Sequence, residues 1–252
     1  MITAVRWRLV AALDARVAAL APLGSLDDAE PILATLRRRL PSLESADFML
    51  DDGFGLVLEH LGRASPVRRA PAYLLLECAA RSDPTEELAE ALAAAGIRDA
   101  VVADDTTSRA RLWELREGQA DAIAAHGAPH KLDVGVPLAR LAEFVARVPG
   151  LVAETAPGAR TILFGHLGDG NVHVNVLGPE GEDDAVDAAV LGLVAAVGGT
   201  VSAEHGVGVA KARHLGLVRS DAELAAMAAV KHALDPHGTL NPGAVLMTAT
   251  TY

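Results

Sequence analysis

The sequence predicts an α+β fold with largely antiparallel sheets, helices on one face and two ferredoxin-like halves. Strand-type segments often follow one another with no helix between them, which favours antiparallel pairing over a doubly wound parallel sheet. A β-α-β order occurs around residues 16–50 and again around residues 73–103, and a β-β-α-β order spans residues 160–203. These recurrences predict the ferredoxin-like halves.

The predicted strands are short segments that are apolar or alternate apolar with polar residues. In the first of them apolar residues alternate with two arginines, and no turn or cap comes before it. A chain that opens in this way is expected to be part of a longer protein. The predicted strands are Ala4–Val10, Arg16–Leu23, Leu43–Met49, Tyr73–Ala79, Ala100–Ala103, Lys131–Val136, Arg160–Phe164, Val172–Leu177 and Gly199–Ala203.

The predicted helices begin at capping residues or proline and end at glycine or at a change of pattern. Ser25 and Ser220 are expected to cap the first and last helices. Asp83 and Pro84 are expected to begin another, as cap and first helical residue, and Gly96 to end it. The predicted helices are Ser25 to about Leu40, Asp51–Leu61, Asp83–Gly96, Thr106–His126, Leu138–Val148, Asp183–Val197 and Ser220 to about Leu234.

Composition excludes several classes of protein. The net charge of −11 over 252 residues opposes non-specific binding to nucleic acid or to an anionic membrane. The single cysteine, Cys78, excludes an intramolecular disulfide framework and a cysteine zinc cluster, and it fits a reducing compartment. The most apolar run, Ala185 to Thr200, is too short for a transmembrane helix and contains Asp187. We therefore expect a cytoplasmic protein, with peripheral membrane association as the alternative.

Two glycine-punctuated segments, Phe164–Asn175 and Ser202–Gly206, carry most of the residues suited to chemistry. Alternate residues of a strand share a face, so His173 lies on the polar side of its strand, and the glycine turn folds His166 back beside it. With Glu204 near the end of another strand, the three side chains would form a His₂Glu metal site with an open position, as in catalytic zinc sites. Nitrogen and oxygen ligands also suit manganese, iron or cobalt. The alternative is that the histidines only satisfy turn backbone.

His205 follows Glu204 directly, and neighbouring residues of a strand face opposite ways. Both could approach one ion only if the chain turns there, which Gly206 and Gly208 permit. A neutral imidazole beside a metal could accept a hydroxyl proton. The alternative interpretation is a surface histidine in a loop.

Two cations, Arg116 on a helix and Lys131 at the start of a strand, are candidate anion-binding residues. The planar fork of a guanidinium suits a carboxylate. The alternative is that both are solvated, since the chain carries 22 lysines and arginines. Residues 206–211 lack the third glycine of a dinucleotide-binding fingerprint, so we interpret them as a turn.

Several of these segments together resemble the C-terminal domain of FAD-linked oxidases of the vanillyl-alcohol-oxidase type, which include D-lactate, glycolate and D-2-hydroxyglutarate dehydrogenases. The likeness extends over nearly the whole chain. It is carried by Trp113–Glu117, Lys131–Asp133, Phe164–Asn175, Gly199–Gly208 and Leu240–Gly243.

The resemblance implies a role for each candidate residue. The implied roles are metal ligation by His166, His173 and Glu204; proton abstraction by His205 against substrate and flavin; binding of the substrate carboxylate and hydroxyl by Arg116, Lys131 and Asn175; and approach to the flavin by Asn241. The implied cofactors are FAD and a divalent metal, with zinc expected. The implied partner is an FAD-binding domain, absent from residues 1–252 and supplied by the same longer chain or by a separate subunit.

The implied reaction is oxidation of a D-2-hydroxy acid to the 2-oxo acid, with lactate, glycolate and 2-hydroxyglutarate left open. This chain would supply the metal, the base and the residues that bind substrate, and it is expected to be inactive alone. One alternative is a non-catalytic, metal-dependent module that binds hydroxy acids. Another is a metal-dependent hydrolase that uses the same His₂Glu set.

Overall fold

In the computed structural model, which describes residues 3–178 and 183–247, the chain is organised around one seven-stranded sheet. The strands are β1 (Ala15–Leu23), β2 (Leu43–Leu50), β3 (Ala72–Ala80), β4 (Val101–Ala103), β5 (His130–Gly135), β6 (Arg160–His166) and β7 (Asn171–Leu177). The helices are α1 (Ala29–Arg39), α2 (Asp51–Leu61), α3 (Thr85–Ala94), α4 (Thr106–Glu117), α5 (Gln119–Ala124), α6 (Leu141–Thr155), α7 (Asp183–Ala196) and α8 (Asp221–Leu234). Each pair of neighbouring strands is antiparallel, which confirms the predicted α+β class.

The sheet joins two halves of related topology. Its strand order is β4-β1-β3-β2-β6-β7-β5. The first four strands give the order 4-1-3-2 of a ferredoxin-like unit, with α2 inserted between β2 and β3. The second half has the same topology as far as it goes. Here β5 corresponds to the first strand of a ferredoxin-like unit, β6 to the second and β7 to the third. A single antiparallel bridge between Gly135 and Thr200 stands where the fourth strand would lie.

Helices cover both faces of the sheet, whereas the sequence interpretation placed them on one face. Alternate residues of β1 divide between two cores, with Val17 and Ala19 in one and Ala18 and Leu20 in the other. Residues of α1, α3, α6 and α7 pack in the first core, and residues of α2, α4 and α5 pack in the second. The reason is that strands such as β1 and β3 are apolar on both faces and must be covered on both.

Two of the predicted strands do not form. Residues 4–10 have the alternation of a strand but no regular structure, and Trp7 is 81% exposed. Alternation alone does not make a strand, because its backbone groups need a neighbouring strand to pair with. The predicted strand Gly199–Ala203 is reduced to the bridge at Thr200 because the chain then turns toward Asp133.

Several helix boundaries also differ from the prediction. Ser25 bonds to Asp27, and the first helix begins later, with Asp28 as its N-cap. Pro84 is itself the N-cap of α3. The predicted helix 106–126 is interrupted at Gly118, as is common at glycine. The predicted helix ending at Val148 instead continues through Pro149 to Thr155 as α6.

The capping of α8 is confirmed. The hydroxyl of Ser220 accepts from the backbone N–H of Glu223, and the Glu223 carboxylate accepts from the backbone N–H of Ser220, which completes a capping box. None of the helices in the described ranges combines the length and the hydropathy that a bilayer span requires.

Candidate metal and substrate site

Polar side chains from four adjacent strands lie on one face of the sheet, close to one end of it. Asp47 of β2 lies opposite His166 of β6, and His166 in turn lies opposite Asn171 of β7. One row along, His173 lies opposite Asp133 of β5. The polar side chains share a face because successive side chains of a strand point to opposite faces of the sheet. The apolar residues that alternate with them point to the opposite face and belong to the core that contains Val17 and Ala19.

His166 is held between two carboxylates. Its Nδ1 lies 2.8 Å from Asp47 Oδ1, and its Nε2 lies 3.5 Å from Glu204 Oε1. The hydrogen bond with Asp47 raises the pKa of the His166 imidazole. A nitrogen that faces a carboxylate at this distance carries the proton, so Nδ1 is the protonated nitrogen and Nε2 is directed toward Glu204.

His173 repeats this arrangement with a different carboxylate behind it. Its Nδ1 lies 3.6 Å from Asp133 Oδ1, and its Nε2 lies 3.5 Å from Glu204 Oε1. Burial, followed by the positive charges of Arg116 and His166, lowers the pKa of His173 to about 4. The imidazole is therefore neutral at neutral pH and keeps a lone pair, which metal ligation requires.

Glu204 Oε1 of the predicted metal site lies equally close to His166 Nε2 and to His173 Nε2, and these two separations can be compared with those around a bound cation. Two ligand atoms that share one tetrahedral zinc at about 2.0–2.1 Å lie about 3.4 Å apart. The separations of 3.5 Å from Glu204 Oε1 to the Nε2 atoms of His166 and His173 are close to that value. Metal-binding histidines commonly direct the other ring nitrogen at a carboxylate. Asp47 and Asp133 stand in those positions.

A second grouping shares two of these side chains. Asp133, His173, Glu204 and His205 each bring one possible ligand atom to within 4.8 Å of the others. In this arrangement the Asp133 oxygen lies on the Nδ1 side of His173, whereas Glu204 lies on the Nε2 side. The predicted ligand set and this grouping share His173 and Glu204; they differ in that the grouping contains Asp133 and His205 and not His166.

The chain turns at Glu204, as the sequence analysis required. Asp133 Oδ2 accepts hydrogen bonds from the backbone N–H groups of Ala203, Glu204 and His205, at 3.1, 3.0 and 2.9 Å. Burial acts to raise the pKa of Asp133, but the N–H groups of His205 and Glu204 and the nearby charges of His205 and Lys211 outweigh it and lower the pKa. The three hydrogen bonds also draw the chain away from the path of a strand, so Glu204 and His205 both reach the site.

His205 lies beside the cluster and is open to solvent. Its ring stacks against the ring of His173 with a centroid separation of 5.5 Å, and its Nε2 lies 3.8 Å from Glu204 Oε1. The side chain is 63% exposed. A histidine in this position can exchange a proton with a molecule bound over the cluster.

Arg116 reaches the same face from α4. Its Nε lies 3.0 Å from Asp47 Oδ2, and its guanidinium lies 4.6 Å above the ring centroid of Phe164. Burial lowers the pKa of Arg116, and the charge of Asp47 opposes that shift. The side chain, only 11% exposed, is a largely desolvated positive charge beside the histidines.

Asn175 and Lys131 lie opposite each other on β7 and β5, one row beyond His173 on the same face. Asn175 is buried, and its amide donates to the carbonyl of Ile162 at 3.5 Å. Lys131 is exposed at the side of this row. The structure therefore brings both residues to the site's edge, without a direct bond to the histidines among the described contacts.

Asn241 lies in the segment that follows α8, and the N–H of Val245 in this segment donates to the carbonyl of Gly208. Asn241 has a positive φ of 43°, and its carbonyl accepts from the N–H of Ala244. Asp235 holds the segment by accepting from the N–H groups of Thr239 and Leu240. None of the described hydrogen bonds connects Asn241 with the histidines.

Two carboxylates of the site, Asp47 and Asp133, were not assigned a role from the sequence. Asp47 lies between the buried residues Ala46 and Phe48, and a charged residue at a buried strand position is a signal that could have identified it. Asp133 lies in the same way between Leu132 and Val134, which are also buried.

Comparison with known proteins assigns the chain to a family. Residues 13–245 match the family described as "FAD linked oxidases, C-terminal domain". The D-2-hydroxyglutarate dehydrogenase of Xanthomonas citri pv. viticola is 34% identical over 239 residues, covering 90% of this chain and 50% of that protein. The mitochondrial D-2-hydroxyglutarate dehydrogenase of Bos taurus is 35% identical over 231 residues, covering 85% of this chain and 41% of that protein. The chain thus spans about half the length of these relatives, or less.

Solved structures share the fold at low sequence identity. p-Cresol methylhydroxylase with bound substrate superposes with a TM-score of 0.64 at 12% identity, covering 92% of this chain and 52% of that one. 4-Ethylphenol oxidase from Gulosibacter chungangensis gives a TM-score of 0.61, also at 12% identity, covering 92% and 54%. These two structures show the fold alone. The family match over residues 13–245 and the relatives above 30% identity show that this chain belongs to the FAD-linked oxidases and corresponds to their C-terminal domain.

Proposed function

We propose that this chain is the substrate- and metal-binding part of an FAD-dependent oxidoreductase that oxidises a D-2-hydroxy acid to the 2-oxo acid. The observation that carries the proposal is the convergence of His166 Nε2 and His173 Nε2 on Glu204 Oε1, with the exposed His205 beside them. The relatives named D-2-hydroxyglutarate dehydrogenase support this class of reaction. They make D-2-hydroxyglutarate the first substrate to test, ahead of lactate and glycolate.

His166, His173 and Glu204 would hold a divalent cation, and zinc fits their two nitrogens and one oxygen. When bound, the cation supplies Lewis acidity and FAD supplies two-electron redox chemistry. Asp47 and Asp133 would keep the Nε2 atoms of the two histidines free of protons by facing the Nδ1 atoms.

The remaining residues would bind and orient the substrate. His205 would accept the proton of the 2-hydroxyl, since its ring is solvent-accessible beside the ligands. Arg116, Lys131 and Asn175 would bind the substrate's carboxylate and hydroxyl groups. A dicarboxylate such as 2-hydroxyglutarate would offer one negative charge to each of the two cations.

The flavin would be bound mainly by an FAD-binding domain, in the same longer chain or in a separate subunit. That the curated relatives are about twice as long as this chain supports such a partner. Asn241 and His205 would be the residues of this chain that approach the flavin. The positive φ of Asn241 gives its segment a defined bend, which suits a residue presented to a cofactor.

Elemental analysis of the chain purified without a histidine tag tests the metal site. We expect about one equivalent of zinc in the wild type and near none in His173→Ala. The matched control is His60→Ala, which removes an exposed histidine of α2 and should leave the zinc content unchanged. Absence of zinc or another divalent ion from the wild type, or equal content in both variants, would refute the proposed site.

Flavin reduction tests the reaction. The chain joined to its FAD-binding partner should bleach the flavin on addition of a D-2-hydroxy acid, and His205→Asn should lower the rate about 10²–10⁴-fold. The chain alone should show neither flavin absorbance nor turnover. Substantial oxidation by this chain without a flavin partner would contradict the proposed division of roles.

A further inference from the structure

Asp133 of β5 serves two different elements through its two carboxylate oxygens. Oδ2 accepts the backbone N–H groups of Ala203, Glu204 and His205. Oδ1 is buried without a hydrogen-bond partner and lies 3.6 Å from Nδ1 of His173. A buried carboxylate oxygen without a donor is costly, so its position beside a ring nitrogen requires an explanation.

We propose that Asp133 is the positioning residue of the site. One of its oxygens fixes the backbone that carries Glu204 and His205, and the other selects the tautomer of His173. Because a neutral imidazole has a single N–H, an acceptor that faces Nδ1 places the proton there and leaves the lone pair on Nε2, the nitrogen that faces Glu204. The positioning role rests on the proposed function only for the statement that the bound ligand is a metal ion; the contacts of Asp133 with His173 and with the loop do not depend on it.

A second contact secures the far end of the same loop. The carbonyl oxygen of Asp133 accepts from Lys211 Nζ at 2.6 Å. The loop from Ala203 to Lys211 is therefore fastened to Asp133 at both ends, by the side-chain carboxylate at its start and by the backbone carbonyl at its end. Residue 133 thus determines where the loop lies relative to His173.

An amide could not perform both tasks. The two proposed tasks need an acceptor at both oxygens of residue 133, whereas asparagine accepts on one side and donates on the other. In Asp133→Asn the carbonyl oxygen should remain on the three N–H groups, since three bonds outweigh one. The NH₂ group would then face Nδ1 of His173, which would have to become the acceptor, so the proton would move to Nε2 and block ligation.

The test compares Asp133→Asn with Asp187→Asn. Asp187 is also a buried aspartate that faces a histidine, with Oδ1 2.6 Å from His130 Nε2, but it lies outside the site. Nitrogen-15 NMR of the metal-free protein should show His173 as the Nδ1–H tautomer in the wild type and in the control, and as the Nε2–H tautomer in Asp133→Asn. Zinc affinity, measured by competition with a chelator, should fall about 10- to 100-fold in Asp133→Asn alone.

Two further measurements keep the proposal falsifiable if Asp133→Asn does not fold. An Nε2–H tautomer of His173 in the metal-free wild type would overturn it. Lys211→Met, which releases the far end of the loop and leaves Oδ1 in place, should speed amide exchange near residue 211 without changing that tautomer; a changed tautomer would count against the proposal. If the wild type binds no zinc although its tautomer follows Asp133, the proposed function fails and the positioning role stands.

Discussion

Asp47 joins His166 to the buried guanidinium of Arg116: its Oδ1 lies 2.8 Å from His166 Nδ1, and its Oδ2 lies 3.0 Å from Arg116 Nε. One carboxylate therefore orients a candidate metal ligand and neutralises a candidate substrate-binding cation. The two roles are coupled, because a movement of Asp47 would disturb both partners.

Removing Asp47 should destabilise the fold strongly. In Asp47→Ala the Arg116 charge stays buried without its partner, which we expect to lower the free energy of unfolding by about 3 kcal/mol in denaturant titrations. The exposed pair Arg68–Asp99 provides the control, since Asp99→Ala should cost less than about 1 kcal/mol. In the double variant Asp47→Ala/Arg116→Met the loss should be smaller than the sum of the single losses. Additive losses would show that the pair is not energetically coupled.

Gly165 should not tolerate a side chain. A Cβ atom there would overlap the backbone carbonyl of Asn171 and press on the ring of Phe48, so Gly165→Ala must open the pairing of β6 with β7. We expect a loss of about 1–3 kcal/mol in the free energy of unfolding, together with weaker zinc binding because His166 and His173 are displaced from each other. Gly168→Ala, in the same hairpin but with open space around it, should change neither quantity. Equal effects of both substitutions would refute the steric argument.

Asp235 should control the segment that carries Asn241. Its carboxylate accepts from Lys231 and from the N–H groups of Thr239 and Leu240. Asp235→Ala should therefore speed hydrogen exchange at the amide of Leu240 and leave zinc content unchanged. The control is Asp221→Ala, an exposed position in the first turn of α8, which should leave exchange at Leu240 as it is. Unaltered exchange in Asp235→Ala would mean that other contacts hold the segment.

Cys78 should be inert in the native protein. It is buried in β3, which has a neighbouring strand on each side, and burial raises the pKa of its thiol to about 11. Very little thiolate is present at pH 8, and the thiolate is the reactive form. Iodoacetamide should therefore label the protein only after unfolding in guanidinium chloride. Ser82→Cys, in an exposed loop, should be labelled at once under native conditions. Rapid labelling of native Cys78 would show that the sheet opens easily.

Local patterns were sufficient to predict much of the fold and part of the site. Period-two alternation placed His173 on a polar strand face, and the glycine turn brought His166 beside it, as the structure has them. The contact between Asp47 and His166 could not be predicted in this way, since 119 residues separate them in the sequence and only sheet pairing brings them together.

Long-range contacts also explain where the strand and helix predictions were wrong. The segment Gly199–Ala203 has a strand-like composition, but the carboxylate of Asp133 takes the N–H groups that a continuing strand would donate. The strand propensity of residues 199–203 cannot reveal this competition for N–H groups, because Asp133 lies about 70 residues earlier in the chain. Similarly, the helices were expected on one face because the second apolar face of strands such as β1 was not counted.

The contact between Lys211 and the Asp133 carbonyl has a consequence for association between molecules. β5 is an outermost strand of the sheet, and outermost strands offer unpaired backbone groups to which the strand of another molecule can add. The ammonium group of Lys211 already occupies one of those acceptors, and the bridge to Thr200 occupies the groups of Gly135. A buried lysine at this border thus leaves fewer backbone groups of β5 free to pair with a strand of another molecule.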